Sequence, residues 1–398
     1  MNSKHRLLGL ITVVINAVAL IGTVALTATG GYIARSQSCN YAWERWQNGS
    51  DDKYVQLSCF FSKDAGFNTD SAEGVRSVLY SDLKTVSVVP EEGKELVPHA
   101  YSTVAGTSYI TCDTKGQSEA EITAVGGDFF LFHDFRLLSG AFISEDSLMQ
   151  DGAVIDRQLA WNLYGSENIA GQKIYINGTE LYISGVIDTP ETRLEKKCTN
   201  DSPKAYISYY AADQIFGSHG KFDEDISSSE FSDVTCYECV VPEPVKNFAY
   251  NSLKEYIQPM YSGDVGIINN TERFLPEKRK NALKKLDSYM VRKDDIPLPY
   301  WENASRLAEV RLSFIYGGRR LLLAIMLVTF ICLLAFGYKR FRQNKQRLKM
   351  AAENYVSEKR RKIRERHIKK ADVTFKEDCS EINEQTKEST NKKTKKEE

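Results

Sequence analysis

Two long apolar runs, one near each end, constrain this chain more than any other feature of its sequence. Residues 7–28 contain no charged side chain, and residues 321–338 are equally uncharged and precede Lys339 and Arg340. A helix rises about 1.5 Å per residue, so about 20 apolar residues cross the hydrocarbon core of a bilayer. We therefore predict transmembrane helices over residues 7–29 and 319–338. The first run is longer than the roughly 7–15 apolar residues of a cleaved signal peptide, which favours an anchor.

Charge is distributed unevenly along the chain. Residues 339–398 hold 20 lysines and arginines against 11 acidic residues, a net charge of +9, whereas the whole chain carries −1 and the remainder therefore −10. Basic residues are enriched on the cytoplasmic side of membrane helices, so we predict that residues 1–6 and 339–398 are both cytoplasmic. Residues 30–318 then form a large extracellular domain between two anchors in the cell membrane.

The C-terminal tail divides into two predicted parts. Residues 339–370 have helix-forming composition and are expected to form a basic juxtamembrane helix, with anionic membrane lipid as its partner. Residues 371–398 hold almost nothing to bury, which predicts a disordered charged tail. Because the chain is not uniformly basic, nucleic acid is not expected as a partner.

Sequence patterns in the outer region predict an α+β fold. A strand over residues 54–61, a helix over 72–81 and a strand over 85–89 would form a β-α-β unit. A hairpin is expected between strands at 108–112 and 121–125.

Helical stalks are predicted where the chain leaves and re-enters the membrane. Gly30 and Gly31 are expected to end the first helix, because glycine readily terminates helices. Residues 32–50 would then continue as a stalk helix. On the return side, a helix over residues 302–314 is expected to lead directly into the second span.

Residues 173–186 hold the clearest local signal. Two stretches of alternating apolar residues flank Asn177-Gly178, and this dipeptide tolerates the positive φ that both corners of a type I′ turn require. We predict a tight hairpin with Asn177 and Gly178 as its structural turn.

Residues arranged for chemistry are scarce in this sequence. The five histidines form no His-Glu-x-x-His pair and no short metal-ligand spacing, and there is no Gly-x-Ser-x-Gly elbow. We therefore predict no catalytic residue, no cofactor-binding residue, no metal site and no enzymatic activity.

One cysteine pair has the spacing of a disulfide or redox site. Cys236 and Cys239 are three residues apart, but the reactive thiol of a redox pair sits at a helix N-terminus, where the helix dipole lowers its pKa. Here the pair lies in a predicted strand, where residues three apart face opposite sides of a sheet. A structural or simply buried role is therefore favoured over oxidoreductase activity.

A series of motifs follows in order along residues 124–187. These motifs include Ala124-Val-Gly-Gly-Asp-Phe-Phe130, Leu138-Ser-Gly-Ala-Phe-Ile143, Leu159-Ala-Trp-Asn-Leu-Tyr-Gly165 and Ile169-Ala-Gly-Gln-Lys-Ile-Tyr-Ile-Asn-Gly178. Together they resemble the extracytoplasmic core domain of MacB-type ABC transporter permeases.

The resemblance implies a two-lobed extracytoplasmic domain on a helical stalk between two transmembrane helices. It also implies an ABC ATPase and companion permease subunits as partners. The family has three further spans behind this domain, whereas the present sequence has one. Either a companion permease supplies the missing helices, or the domain has been reused as a binding or sensing module.

Two functions remain open from the sequence. The first is a membrane-anchored permease-like or accessory subunit of a MacB-type ABC transporter assembly, whose outer domain binds a partner or cargo. The second is a surface receptor or binding protein without transport activity. A thiol enzyme would rest on the cysteine pair alone.

Overall fold

The computed structural model describes residues 3–47, 52–90, 95–144, 147–189, 192–217, 231, 233–261, 263–279 and 295–394. The helices are α1 (Ser3–Arg35), α2 (Trp43–Gln47), α3 (Thr69–Thr85), α4 (Phe129–Phe132), α5 (Arg157–Tyr164), α6 (Glu195–Cys198), α7 (Tyr209–Phe216), α8 (Phe248–Met260) and α9 (Tyr300–Thr394). The strands are β1 (Tyr54–Phe61), β2 (His99–Cys112), β3 (Gln117–Gly127), β4 (Arg136–Gly140), β5 (Gly152–Asp156), β6 (Lys173–Ile176), β7 (Thr179–Asp188), β8 (Lys204–Ser208), β9 (Cys236–Pro242) and β10 (Val265–Asn269).

The strands form one mixed sheet. Their order is β10-β1-β9-β2-β3-β8-β5-β7-β4. Strands β3 and β8 are parallel, as are β5 and β7, and the other pairs are antiparallel. Strand β6 pairs with both β2 and β7, which closes β2, β3, β8, β5, β7 and β6 into a ring.

Alternation along the strands sends neighbouring side chains to opposite faces. On one face, α3 and α8 cover β1 and β9 through residues such as Leu79 and Leu253, which defines lobe A. On that face farther along the sheet, α5 and α7 cover β5 and β8 through residues such as Leu159 and Ala212, which defines lobe B. This arrangement confirms the predicted two-lobed α+β fold.

The opposite face carries a third, aromatic cluster. Intervening residues of the same strands, such as Phe60 of β1 and Tyr206 of β8, pack there with Phe129 of α4 and Trp301 of α9. The first turn of α9 is therefore part of the domain core.

The predicted strand at residues 54–61 is confirmed as β1, and the predicted hairpin is confirmed as β2–β3. Its pairing differs, because residues 108–111 lie opposite 117–120 and not opposite 121–125. The predicted strand at 85–89 is wrong, because α3 runs on to Thr85. Ser87 then adopts a φ of 64°, and the Val88 amide donates to the Leu83 carbonyl at 3.0 Å, so the chain turns instead of extending.

Helix α1 does not end at Gly30 and Gly31 but continues to Arg35. Gly30 is buried against α9, where a Cβ would lie at the ordinary van der Waals distance of 3.4 Å from Ile315 and Tyr316, so packing against α9 supports the helix across this glycine. The predicted stalk over 32–50 is also interrupted: a 3₁₀ helix spans Ser38–Tyr41 and α2 follows, while residues 48–50 lie outside the described residues.

The return helix leads directly into the second apolar run, as predicted, because α9 is continuous from Tyr300 to Thr394. The helix includes residues 371–394, for which the sequence predicted disorder. The expectation of disorder rested on the lack of apolar side chains to bury. A helix needs only backbone hydrogen bonds, and this segment contains no glycine or proline to interrupt them. By length and composition, α1 and α9 each contain a run able to cross a membrane.

The packing of lobe A predicts the effect of truncating a core side chain. Leu57 is fully buried, so Leu57→Ala should destabilise the domain by about 2–5 kcal/mol, because it removes apolar contact and leaves a cavity. Leu148→Ala is the matched control: Leu148 is 100% exposed, and its truncation should change stability by less than about 0.5 kcal/mol. Urea denaturation followed by tryptophan fluorescence measures both, and equal effects would contradict the assigned core.

Candidate functional site

A cleft of about 350 Å³ opens beside the C-terminal end of β3. Tyr209, which lines it, packs against the cores of both lobes, so the cleft lies between them. The lining combines aromatic rings with hydroxyl groups and one carboxylate: Tyr101, Phe129, Phe130, Phe142, Tyr182, Tyr209, Ser144, Ser147, Ser184, Ser208 and Asp151.

Close packing of a ring against the backbone shapes one wall. A Cβ at Gly126 would lie 2.3 Å from the ring of Tyr101, so only glycine lets this tyrosine lie across β3. Tyr101 in turn contacts Tyr209 with ring centroids 5.2 Å apart. On the other wall, Phe130 stacks on Phe142 at 4.8 Å.

Two large apolar side chains lie next to the cleft without cover. Leu148 is 100% exposed and Met149 is 71% exposed, between the cleft-lining Ser147 and Gln150. Burying apolar surface is favourable by about 25 cal/mol per Å², so such a pair gains from contact with another molecule.

The cleft presents mainly aromatic and hydroxyl groups. Its titratable lining groups are Asp151 and the tyrosines, and burial raises the pKa of Tyr209 well above its usual value. Across the residues that the structure describes, no cluster of three or more His, Cys, Asp or Glu could hold a metal ion.

A buried ionic junction joins α9 to the sheet. The Arg273 guanidinium, in the segment after β10, donates twice to Glu302 at 2.7 Å and through Nε to Glu309 at 2.8 Å. These three residues are only 3%, 2% and 6% exposed. Burial by itself lowers the pKa of Arg273, but the two carboxylates raise this pKa by more than burial lowers it. The guanidinium therefore stays charged.

Further side chains complete this junction. Arg279 donates to Glu309 at 3.0 Å and Arg306 to Glu302 at 2.9 Å. Asn40, in the 3₁₀ helix after α1, accepts from Arg273 at 3.1 Å and donates to Ser305 at 2.7 Å. The 3₁₀ helix that follows α1 and the start of α9 are thus tied to the same arginine.

A chain of hydrogen bonds continues from the junction across the sheet. Arg273 donates to Asn270 at 3.4 Å, Asn270 to Ser58 at 2.6 Å, and Ser58 to Glu238 at 3.0 Å. The other carboxylate oxygen of Glu238 lies 2.9 Å from His133 Nε2.

That chain ends beneath the cleft. His133 follows α4 directly, and its ring centroid lies 4.3 Å from that of Phe129, which lines the cleft. A continuous polar path therefore runs from α9 to the helix that supports one wall of the cleft.

The structure separates the two cysteines singled out by their spacing. Cys236 packs in the aromatic cluster with Trp301, whereas Cys239 packs on the other face in the core of lobe A. Both are buried and neither forms a disulfide. Desolvation raises the pKa of both thiols, which leaves little reactive thiolate and favours the structural interpretation.

Asn177 and Gly178 lie at the corner between β6 and β7. Their φ values of 50° and 86° are those of a type I′ hairpin. The Asn177 side chain also accepts a hydrogen bond from Ser108 of β2 at 2.9 Å, so the turn is fastened to the neighbouring strand.

Sequence reasoning missed the cleft and the ionic junction. Both bring together residues far apart in the chain, and Arg273 with Asn40 spans 233 positions. One local signal was available: Glu302, Arg306 and Glu309 recur at helical spacing on a segment whose other face is apolar.

The placement of the cysteines predicts their reactivity. In the folded chain at pH 7.5, iodoacetamide should leave Cys236 and Cys239 unmodified, because both are buried and their raised pKa values suppress the thiolate. Cys198, which is only half-buried, serves as the internal control and should react faster. Peptide mass spectrometry reads all three sites, and rapid labelling of Cys236 would restore the redox hypothesis.

The junction predicts a large loss of stability on removing its arginine. Arg273→Met leaves Glu302 and Glu309 buried without their main counter-charge, which should cost about 3–5 kcal/mol. Arg76→Met removes an exposed arginine that pairs with Glu73 and Glu95, and should cost at most about 1 kcal/mol. Urea denaturation compares the two variants, and similar losses would refute the weight given to the buried junction.

The chain was also compared with known proteins. The family described as MacB-like periplasmic core domain matches residues 9–229. No match was found among curated proteins. Similar solved structures include the periplasmic region of MacB from Actinobacillus actinomycetemcomitans, at 16% identity, covering 58% of this chain and 92% of that one with a TM-score of 0.35.

Another is the extracellular domain of the noncanonic ABC-type transporter YknZ from Gram-positive bacteria, at 12% identity, covering 55% of this chain and 100% of that one with a TM-score of 0.34. Similarity at these TM-scores adds nothing to the assignment, which rests on the family match. Because that match covers more than half of the sequence, the chain belongs to the family with a MacB-like periplasmic core domain and is a component of an ABC-type transporter system.

Proposed function

We propose that this chain is a two-pass, permease-like or accessory subunit of a MacB-type ABC transporter assembly. Its extracytoplasmic domain binds a protein partner or cargo in the cleft between lobes A and B. The observation that carries the proposal is the cleft itself, which has aromatic walls and the uncovered pair Leu148 and Met149 beside it.

The connection between the cleft and α9 supports a role in transport rather than in passive adhesion. The polar chain from His133 through Glu238 to Arg273 places the cleft wall and the start of α9 in one hydrogen-bonded core. Helix α9 then continues without a break into the second apolar run. A ligand in the cleft would therefore act on the same packed core that holds the first turns of α9.

The two apolar runs support the topology of the proposal. Both are long enough to span a bilayer, and Thr329 of α9 donates to Asn16 of α1 at 2.9 Å. A polar contact of this kind favours association of helices in lipid, where neither side chain finds water. With both termini cytoplasmic, the domain over residues 30–318 lies outside the cell.

Two transmembrane helices are fewer than the four spans of a MacB-type permease. The proposal therefore includes a companion permease that supplies further helices and a cytoplasmic ABC ATPase that supplies energy. The exposed apolar surfaces of both runs support lateral contact with such a companion.

Affinity purification of the full chain in mild detergent tests this function. The wild-type chain should recover an ABC ATPase together with an extracytoplasmic partner or cargo. The double variant Leu148→Glu/Met149→Glu should lower recovery of the outer partner about tenfold or more, because it removes apolar contact and adds charge beside the cleft. Recovery of the ATPase should not change.

Val245→Glu is the matched control, since Val245 is also exposed but does not line the cleft. It should retain both partners. Consistent absence of an ATPase from the wild-type preparation would overturn the transporter proposal and favour a surface receptor. Retention of the outer partner by the double variant would place its binding elsewhere.

A further inference from the structure

We propose that the part of α9 from Leu348 to Arg366 is a docking surface for an acidic region of a cytoplasmic protein subunit. The proposal rests on the cytoplasmic position of the tail in the proposed function. It concerns a surface separate from the outer cleft, and it is carried by charge, distance and exposed apolar side chains along this helix.

The helix beyond the second apolar run carries a large excess of positive charge. Residues 339–366 contain twelve lysines and arginines against three glutamates, a net charge of +9, and all of these residues are exposed. Two ion pairs lie within the helix, Arg361 with Glu365 at 3.5 Å and Lys362 with Glu358 at 2.9 Å. Like charges on neighbouring turns destabilise a helix, so a negatively charged partner would stabilise this one.

Distance along the helix excludes the bilayer as that partner for the distal charges. Lys359 lies 21 residues beyond Tyr338, which corresponds to about 30 Å of helix. Electrostatic attraction to a membrane surface decays over about 8 Å at physiological salt. Anionic lipid can therefore attract the proximal cluster from Lys339 to Lys345, whereas the distal cluster from Lys359 to Arg366 needs a negative surface that extends into the cytoplasm.

Apolar side chains interrupt the charge on one side of this helix. Leu348 and Tyr355 are seven residues apart, as are Val356 and Ile363, so the four lie along one side of the helix. All four are exposed. A partner that offers both acidic and apolar groups fits this surface, and apolar contact adds affinity to the charge attraction.

A second copy of the chain fits the same surface poorly. Lys359 lies one helical turn from both Tyr355 and Ile363, within the apolar stripe. In a parallel dimer this lysine would face its own copy, and like charges at such a seam repel. The geometry therefore points to a different, acidic subunit.

Site-specific photo-crosslinking of the full chain in the host membrane tests the proposal. With p-benzoylphenylalanine in place of Ile363, ultraviolet light should produce a protein adduct whose cross-linked peptide carries net negative charge. The variant with Lys359, Arg360, Arg361 and Lys362 all changed to Gln should lower the adduct yield about tenfold. The reason is that four solvent-exposed ion pairs with acidic groups of the partner together contribute about a tenfold gain in affinity.

Two matched variants separate charge from structure. Changing Lys339, Arg340, Arg342 and Lys345 to Gln removes the same number of charges from the proximal cluster and should leave the adduct intact. Lys359→Arg/Lys362→Arg keeps the distal charge and should also retain it. Loss of the adduct in either variant would overturn the assignment to distal charge.

Other products would overturn the proposal directly. An adduct to phospholipid would assign the surface to the membrane, and an adduct of twice the chain mass would assign it to a second copy. A protein adduct that survives neutralisation of the distal cluster, or the absence of any adduct, would exclude acidic docking. Protease digestion of intact and permeabilised cells locates the tail independently, so a failure of the proposed topology is distinguished from a failure of docking.

Discussion

The pairing of Arg273 with Glu302 and Glu309 is the interaction on which the rest of the domain depends. Withdrawing three charged side chains from water costs several kcal/mol for each, and only their mutual contacts offset that cost. Both glutamates belong to the first turns of α9. If this helix separated from the segment after β10, Arg273 or the glutamates would be exposed to water or left buried without a counter-charge. Asn40 extends the same constraint to the 3₁₀ helix that follows α1.

The buried ionic junction is connected to the cleft by hydrogen bonds. The cleft wall formed by α4 lies at one end of a hydrogen-bonded path, and α9 lies at the other. Because each link in the path is buried, water cannot substitute for a lost partner, and a displacement at one end must be absorbed by the neighbouring links. A displacement of the cleft wall and a displacement of the first turns of α9 are therefore linked through this path.

Local features were predictable from the sequence, and long-range ones were not. The hairpin at Asn177-Gly178 follows from the backbone preferences of two adjacent residues, and β1 follows from a short apolar run with β-forming residues. The extra strand at residues 85–89 was wrong because a helix cap at Ser87 overrode β propensity. The parallel pairing of β3 with β8 leaves no local signal, because the two strands are brought together only by the complete fold. For the junction, the helical spacing of Glu302 and Glu309 is visible in the sequence, but their pairing with Arg273 is not.

The ring closed by β6 has a consequence for how lobe B forms. In an open sheet, an edge strand can slip by one residue and disturb a single neighbour. Here each strand of the ring is held on both sides, so a slip anywhere would mismatch two seams and turn apolar side chains outward. Folding of this lobe should accordingly be cooperative. The four-residue strand β6 closes the ring, and its pairing on both sides disfavours shifted strand registers.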